Sequence, residues 1–455
     1  MNRRHLLQSF AALTLLSAWN PGRRSLVAKG KSGERIIVIG AGVAGLSAAR
    51  TLADSGYEVV VLEARNRIGG RIWTSQQWTD VPLDLGASWI HGTEDNPITA
   101  LADEIGAKRA ITSYERSIRY DPKGTIVSDA RDRAIEQVQK TVTLAVAKAN
   151  QSSRDISLQQ ALDKVVDWRK LSVAERQNID FFLNSTIEQE YAGDVAQLSA
   201  QYFDDQDEFD GDDALFPRGY QVIPEFLAQG LEIHLNQPVT KVRYSESGVV
   251  VTTQQAEYSA DRAVITLPLG VLQKSNIQFS PALPAPKAAA IRNLGMGLLN
   301  KLYLRFPVVF WPKEYDWLEY IPVEKGHWTE WVSFAQITQK PVLLGFSAAA
   351  FARELEGWTD EKIVASAMST LRTIFGKTIP EPTEFQLTRW ASDPFAYGSY
   401  SYNAVGTSPK TRTQLAAPVA KRLYFAGEAT SPDHPSTVHG AYLSGLRVAE
   451  EITGE

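Results

Sequence analysis

Three glycines at the spacing Gly40-x-Gly42-x-x-Gly45 stand between an apolar, β-branched run (Arg35 to Ile39) and a helical pattern, and residues of that type in that place can receive a pyrophosphate. Gly40 permits the tight turn, Gly42 removes a side chain where phosphate meets backbone, and Gly45, with the small Ala44 beside it, lets the helix sit close to the sheet. The helix N-terminus adds N–H donors and a positive dipole end. A second strand, Glu58 to Ala64, ends in Glu63, placed to accept both ribose hydroxyls of an adenosine and unsuited to a phosphorylated ribose. Ala64, Arg65, Gly70 and Arg71 follow at once in Arg65-Asn66-Arg67-Ile68-Gly69-Gly70-Arg71. A nicotinamide dinucleotide has no use for this second donor-rich turn, whereas a longer flavin dinucleotide does, so FAD is preferred to NAD.

A matching constellation lies near the C-terminus. Leu423 to Ala426 reads as a buried strand running into Gly427-Glu428, and Thr437-Val438 opens a last helix that runs to Ile452. Glu428 can bind ribityl hydroxyls, and the N–H groups near Val438 can meet a flavin's carbonyl edge. Between the two ends, Gly86-Ala87-Ser88 forms a small-residue turn that can bring backbone against a flat ring, and Trp89 and His91 follow on it. Asp204 to Asp213 holds seven acids in ten residues, which is either a solvated loop or a patch that steers a polycation.

These groups need elements to hold them. With 455 residues the length suits about three domains or, equally, two larger ones, and a net charge of −5 does not suggest nucleic acid as a partner. The absence of cysteine excludes disulfides, thiolate catalysis and cysteine-ligated metals, and no metal site is expected. Residues 128 to 190 read as helical, with capping boxes at Ser157-x-x-Gln160 and Ser172-x-x-Glu175, and end at Glu190. From Pro217 the pattern turns to β: strands are expected at 239–244 (opened by Val239), 248–253 and 262–267. A helix at 287–294 leads to the strand Asn300 to Phe306, on which Lys301 either snorkels outward or faces the interior. Further strands at 328–334 and 342–348 precede a helix capped by Thr359 and stopped by Gly376.

The expected class is α/β, a Rossmann-like FAD domain (33–95, 217–290, 391–455) interleaved with an α+β substrate domain (96–216, 291–390) whose mixed sheet is flanked by helices. Residues 1–30 read as an export signal. Arg3-Arg4 precede an apolar stretch from Leu6 to Trp19 that is short for a spanning helix, so a twin-arginine-like route to the periplasm or another extracytoplasmic compartment is expected, without stable membrane insertion of the mature chain.

Taken together, GAGVAGL, GGR, DLGASWIHG, NKLYLRF, RW with DPFAYGSYSY, and FAGEATSPDHPSTVHGAYLSGLR resemble the flavin-containing amine oxidase family over residues 35 to 452, nearest to its polyamine oxidases and to the lysine-specific histone demethylase. The demethylase's long helical hairpin has no counterpart here. The resemblance implies non-covalent FAD, because relatives that attach it do so through cysteine. It implies amine oxidation by hydride transfer to flavin N5, imine hydrolysis, and reoxidation by oxygen to hydrogen peroxide. Lys301 matches the lysine that holds a water against the flavin, His91 meets a substrate nitrogen, and Tyr400 is one wall of an aromatic cage whose other wall is here Thr437. The same resemblance places Trp390 with the cofactor residues. Glu190, Trp89, Asp204, Asp205 and Asp207 fall where relatives hold or guide distal ammonium groups of a spermine or spermidine type substrate. A monomer or homodimer is expected. An L-amino-acid or tryptophan oxidase remains the alternative and would aim Arg389 or Arg292 at a carboxylate; a desaturase would want an apolar mouth, and a non-catalytic FAD carrier would have no use for Lys301.

Overall fold

Arg35–Ile39 and Glu58–Leu62 are apolar runs covered on both faces, as central parallel strands require. In the computed structural model, which describes residues 33–454, they form the centre of a five-stranded sheet. Its order is Leu423–Phe425, Arg262–Ile265, Arg35–Ile39, Glu58–Leu62 and Glu232–His234, all parallel. The expected export segment, residues 1–30, lies outside the described residues. Among the described residues, no helix is long and apolar enough to cross a membrane.

The first helix, Val43–Asp54, and the last, Val438–Thr453, pack against each other on one face of this sheet. The approach is close: a Cβ on Gly445 would sit 2.0 Å from Ser47 Oγ and 2.3 Å from the Ala44 carbonyl. Two helix N-termini more than 390 residues apart in sequence, with Ser47 Oγ donating to the Tyr442 carbonyl at 3.0 Å, are thereby held side by side.

A second sheet of six strands runs Glu384–Leu387, Leu299–Arg305, Val342–Ala348, Glu330–Ser333, Trp317–Tyr320 and Ser117–Tyr120, antiparallel except for the last pair. The class is therefore α/β, a parallel nucleotide-type sheet joined to a mixed sheet with helices. The two are stitched by Leu83–Asp84: Leu83 and Leu85 pack with Tyr303, Trp317 and Val332 of the mixed sheet, and the Asp84 carbonyl accepts from Tyr303 Oη at 2.8 Å.

Differences from the sequence reading have local causes. The helical region is three helices, Asp129–Ala149, Leu158–Asp163 and Val173–Phe182, and the last continues as a π-helical turn, Leu183–Glu188. Both capping boxes form. After Pro217 the chain first makes the helix Val222–Ala228, because Pro224 sits in its first turn, where no N–H is needed, and Ile223 and Leu227 bury one face. Pro97–Glu104, assigned to the substrate domain at the 95/96 boundary, instead packs Ile98, Leu101 and Ala102 into the core of the parallel sheet.

Candidate active site

Both sheets and both end helices border one cavity of about 600 Å³. One wall is backbone. Gly40 is held at φ +110° with its N–H on the Leu62 carbonyl at 2.8 Å, and Thr266 Oγ1 donates to the Ile39 carbonyl at 2.8 Å, so the turn is fixed from both sides. A Cβ on Gly42 or Gly427 would meet no atom within 4 Å, and both residues line the cavity, so their bare backbone is open to a large partner. Gly45 is different. It does not line the cavity, and a Cβ there would lie 2.0 Å from the Gly40 carbonyl, so its part is to let helix and turn close.

Glu63 is buried and faces this cavity, with Oε2 accepting the Ala41 N–H and Oε1 the Arg65 N–H, both at 2.8 Å. Each oxygen keeps a further lone pair for a diol. The arginines are placed otherwise than as open cationic donors. Arg65 makes a bidentate pair with Asp393, and Arg71 bonds Glu428 and the Ser399 carbonyl, each at 2.9 Å. Burial alone would raise the Glu428 carboxyl, but Arg71, the Ser401 hydroxyl and the wholly buried Arg412 outweigh it and hold the group below the usual range. Ala44, Ala64, Gly70, Gly86, Ala87, Ser88, Val239, Trp390 and Val438 complete the expected cofactor set on this wall.

Lys301 stands between the walls, buried, with Trp89's ring centroid 5.6 Å from Nζ. Its Nζ reaches the Asp84 carbonyl at 2.9 Å, the Gly86 carbonyl at 2.6 Å and Ser88 Oγ. Nζ donates to all three, and the Ser88 hydroxyl is itself directed at the Asp84 and Gly86 carbonyls. Burial pulls the ammonium down from lysine's ordinary range, with the Asp84 carboxylate opposing. Asp84 itself is raised by burial and accepts from Thr74 Oγ1 and from the Tyr220 N–H at 3.0 Å.

The other wall is side chains. Tyr114 stacks on Trp317 at 4.2 Å, Trp317 on Trp89 at 5.9 Å, and Trp89 lies near-parallel to His91 at 6.4 Å; Phe346 backs Trp317 at 6.2 Å. His91 Nδ1 faces Asp213 Oδ2 at 3.2 Å, and Asp213 Oδ1 accepts the Gly92 N–H at 3.0 Å. Tyr400 borders the cavity and donates to the Gln189 carbonyl at 2.8 Å. Thr437 also borders it, but its hydroxyl is committed to capping the last helix, accepting from Gly440 N at 2.9 Å and donating to the His434 carbonyl at 3.0 Å. What it offers the cavity is small size.

Of the acids named from sequence, Glu190 and Asp207 reach the wall. Asp204 and Asp205 do not. Asp204 is turned inward to accept from Tyr191 Oη, and burial, with Glu190 and Asp205 nearby, raises its carboxyl to about 7; Asp205 points to solvent. The run is thus less a free loop than a packed rim, with the Asp207 N–H on the Asp433 carbonyl at 2.7 Å and Phe209 stacked on His434 at 5.1 Å. Sequence reasoning missed Glu330, a carboxylate only 2% exposed on the mixed sheet that lines the cavity, and also Tyr114, Trp317 and Phe346. The sequence places a strand at 328–334, but it carries no sign of which residue on it faces the cavity.

A glycine-lined groove opens here on an aromatic chamber with a buried lysine, and comparison with known proteins gives the class. The family model "Flavin containing amine oxidoreductase" matches residues 43–453, and this chain belongs to that family. Polyamine oxidase 4 of Oryza sativa subsp. japonica is 37% identical over 434 residues, covering 91% of this chain and 88% of the relative. Lysine-specific histone demethylase 1 homolog 2 of Arabidopsis thaliana is 36% identical over 434 residues, covering 92% of this chain but 58% of that longer protein. In fold, the chain matches a putrescine oxidase structure bound to putrescine, with a TM-score of 0.77 and 21% identity, over 93% of this chain and 99% of that one.

Proposed function

We propose that this chain is an FAD-dependent polyamine oxidase acting on spermine- or spermidine-type amines. The observation that carries the reading is the sign of the substrate side: Glu190, Asp207, Glu208, Asp213 and Glu330 all line the cavity. A substrate with several ammonium groups suits such a wall. An amino acid does not, since the two arginines that could have met its carboxylate lie elsewhere. Arg389 is bound to the Leu355, Glu356 and Trp358 carbonyls and to Asp360, and Arg292 is exposed; neither lines the cavity.

FAD would lie along Gly40, Gly42, Glu63, Gly70, Arg71, Gly86 to Ser88, Gly427, Glu428 and Val438. When bound, it supplies a two-electron acceptor for the amine's C–H bond and returns those electrons to oxygen as hydrogen peroxide, leaving an imine for water to hydrolyse.

The chain's own residues set which amine form reacts. An ammonium carbon is a poor hydride donor, because a second positive charge would grow beside the first. Free alkylamines keep their proton to a pH of about 10.4, so the chamber has to remove it. Asp213 holds His91 at Nδ1 and turns Nε2 free to accept a proton, which gives His91 the part of the base that takes it from the substrate nitrogen. Desolvation beside the aromatic slab of Trp89, Trp317 and Phe346 disfavours a cation at this end. Glu190 on the helical wall and Glu330 on the sheet wall keep distal nitrogens charged and set which carbon faces the cofactor.

Anaerobic addition of spermidine to the yellow protein should bleach its flavin absorbance, and the aldehyde and amine released on turnover would identify the bond cleaved. Bleaching by amino acids with none by polyamines would reject the reading.

A further inference from the structure

The helix that carries Glu190 is not a plain α-helix. Leu183–Glu188 forms a π-turn between Val173–Phe182 and Gln189–Tyr191, and Ser185, Gln189 and Glu190 from this run all line the cavity. In an α-helix of 3.6 residues per turn, a residue five steps on is rotated by about 140° from the first. The i→i+5 closure of a π-turn returns it to nearly the same face. The wide turn is therefore what lets Ser185 and Glu190 share a wall.

A wide turn needs tertiary partners to persist. Asn184 and Glu188, on its opposite side, supply them. Glu188 is 3% exposed and does not line the cavity. Its Oε1 meets Lys325 Nζ at 2.7 Å and the Val195 N–H at 3.3 Å, and its Oε2 accepts from Asn184 Nδ2 at 3.0 Å. Asn184 Oδ1 accepts from Thr329 Oγ1 at 2.6 Å, and Gln189 Nε2 donates to the same Thr329 oxygen at 2.6 Å. Lys325 and Thr329 belong to the connection between Trp317–Tyr320 and Glu330–Ser333, the two strands that bring Trp317 and Glu330 to the cavity. A Cβ on Gly326 in that connection would lie 3.1 Å from Asn184 Nδ2, so the hairpin tip is seated on the turn. Asp180, raised by burial, faces both Lys325 and Glu188, with Arg176 acting on it from the side of its own helix.

We propose that Glu188 and Lys325 form a positioning pair that ties the helical wall to the sheet wall, fixes the separation of Glu190 from Glu330, and so selects amines by the spacing of their charges. The pair also holds the Gln189 carbonyl under the Tyr400 hydroxyl. This rests on the polyamine reading for its substrate, but not for its mechanics.

The double variant Glu188→Gln/Lys325→Met removes both charges without leaving one buried alone. In the FAD-loaded protein its KM for spermidine should rise about tenfold, against little change for a secondary monoamine with no distal charge, since small displacements of a positioned group carry large kinetic costs. Amide hydrogen exchange across residues 183–191 should accelerate. The single variant Lys325→Arg, which keeps the pair, should leave both at the parent's values. In the double variant, exchange equal to the parent's overturns the proposal, and so does faster exchange with an unchanged KM, which would make the tie structural only. A parent protein that ignores spermidine refutes the polyamine reading instead, and the exchange measurement still decides whether the tie exists.

Discussion

Among the described residues, some buried ionisable groups face the cavity and others do not, and they look alike until their surroundings are compared. Lys301 and Lys287 are 5% and 3% exposed, and burial lowers both. Lys301 faces the cavity between two carbonyls and a hydroxyl. Lys287 faces helix end: its Nζ donates to the Leu415 and Gln414 carbonyls, which a helix ending at Ala416 leaves without intrahelical partners, and it lies 3.7 Å over the Phe425 ring. The acids divide the same way, the buried Glu330 on the wall and the half-buried Asp204 behind it. Perturbed titration therefore does not mark function here. Facing the cavity does.

The strongest way to break this comparison is at Lys301. Lys301→Met should cut turnover by about 100-fold or more, with the fold retained by circular dichroism and thermal melting. Lys301→Arg should fare no better, because a guanidinium cannot shed its charge and its planar fork does not replace a compact amine between the Asp84 and Gly86 carbonyls and Ser88 Oγ. Recovery of activity in the arginine variant would mean that a fixed positive charge is what the site needs. A middle-sized effect is expected at Glu330. Glu330→Gln should raise KM for spermidine about tenfold, worth ~1.4 kcal/mol, while KM for a monoamine stays near the parent's; equal losses for both would make it a structural carboxylate.

The smallest effects belong behind the wall, and there they should appear in stability rather than turnover. Lys287 is lowered from 10.5 to about 7, so its penalty to folding is complete below about 7 and fades as pH rises toward 10.5. Asp204 is raised from 3.8 to about 7, so its penalty is complete above about 7 and fades as pH falls toward 3.8. The thermal midpoint of Lys287→Met should thus gain on the parent's as pH is lowered from 10 to 7, and that of Asp204→Asn as pH is raised from 5 to 8. Opposite slopes with turnover preserved would sharpen the comparison; lost turnover in either would dissolve it.

What could be read in advance follows the same division. The backbone wall was legible because strand, glycine turn and helix are contiguous: Arg35–Ile39, Gly40 to Gly45 and Glu63 lie within thirty residues, and local sterics dictate where each points. The side-chain wall was not. Trp317, Glu330 and Phe346 lie on different strands of one sheet, and with side chains alternating at every residue a register shift of one would turn each away from the cavity. Asp204 was misplaced for a related reason. Along a charge run nothing local says which acid turns inward to Tyr191 and which, like Asp207, borders the cavity.

By itself, the order of residues determined the α/β class, the glycine turn, the caps at Ser157, Ser172 and Thr359 and the stop at Gly376, since each depends on neighbours a few positions apart and on backbone conformations that few residue types adopt. Only the tertiary structure decided that Val43–Asp54 and Val438–Thr453 present their N-termini together, that Lys301 is enclosed rather than snorkelling, and that a π-turn held by Glu188 and Lys325 aims Glu190 into the chamber. Those outcomes depend on contacts across more than a hundred residues, where packing and desolvation choose among arrangements that local preferences leave equal.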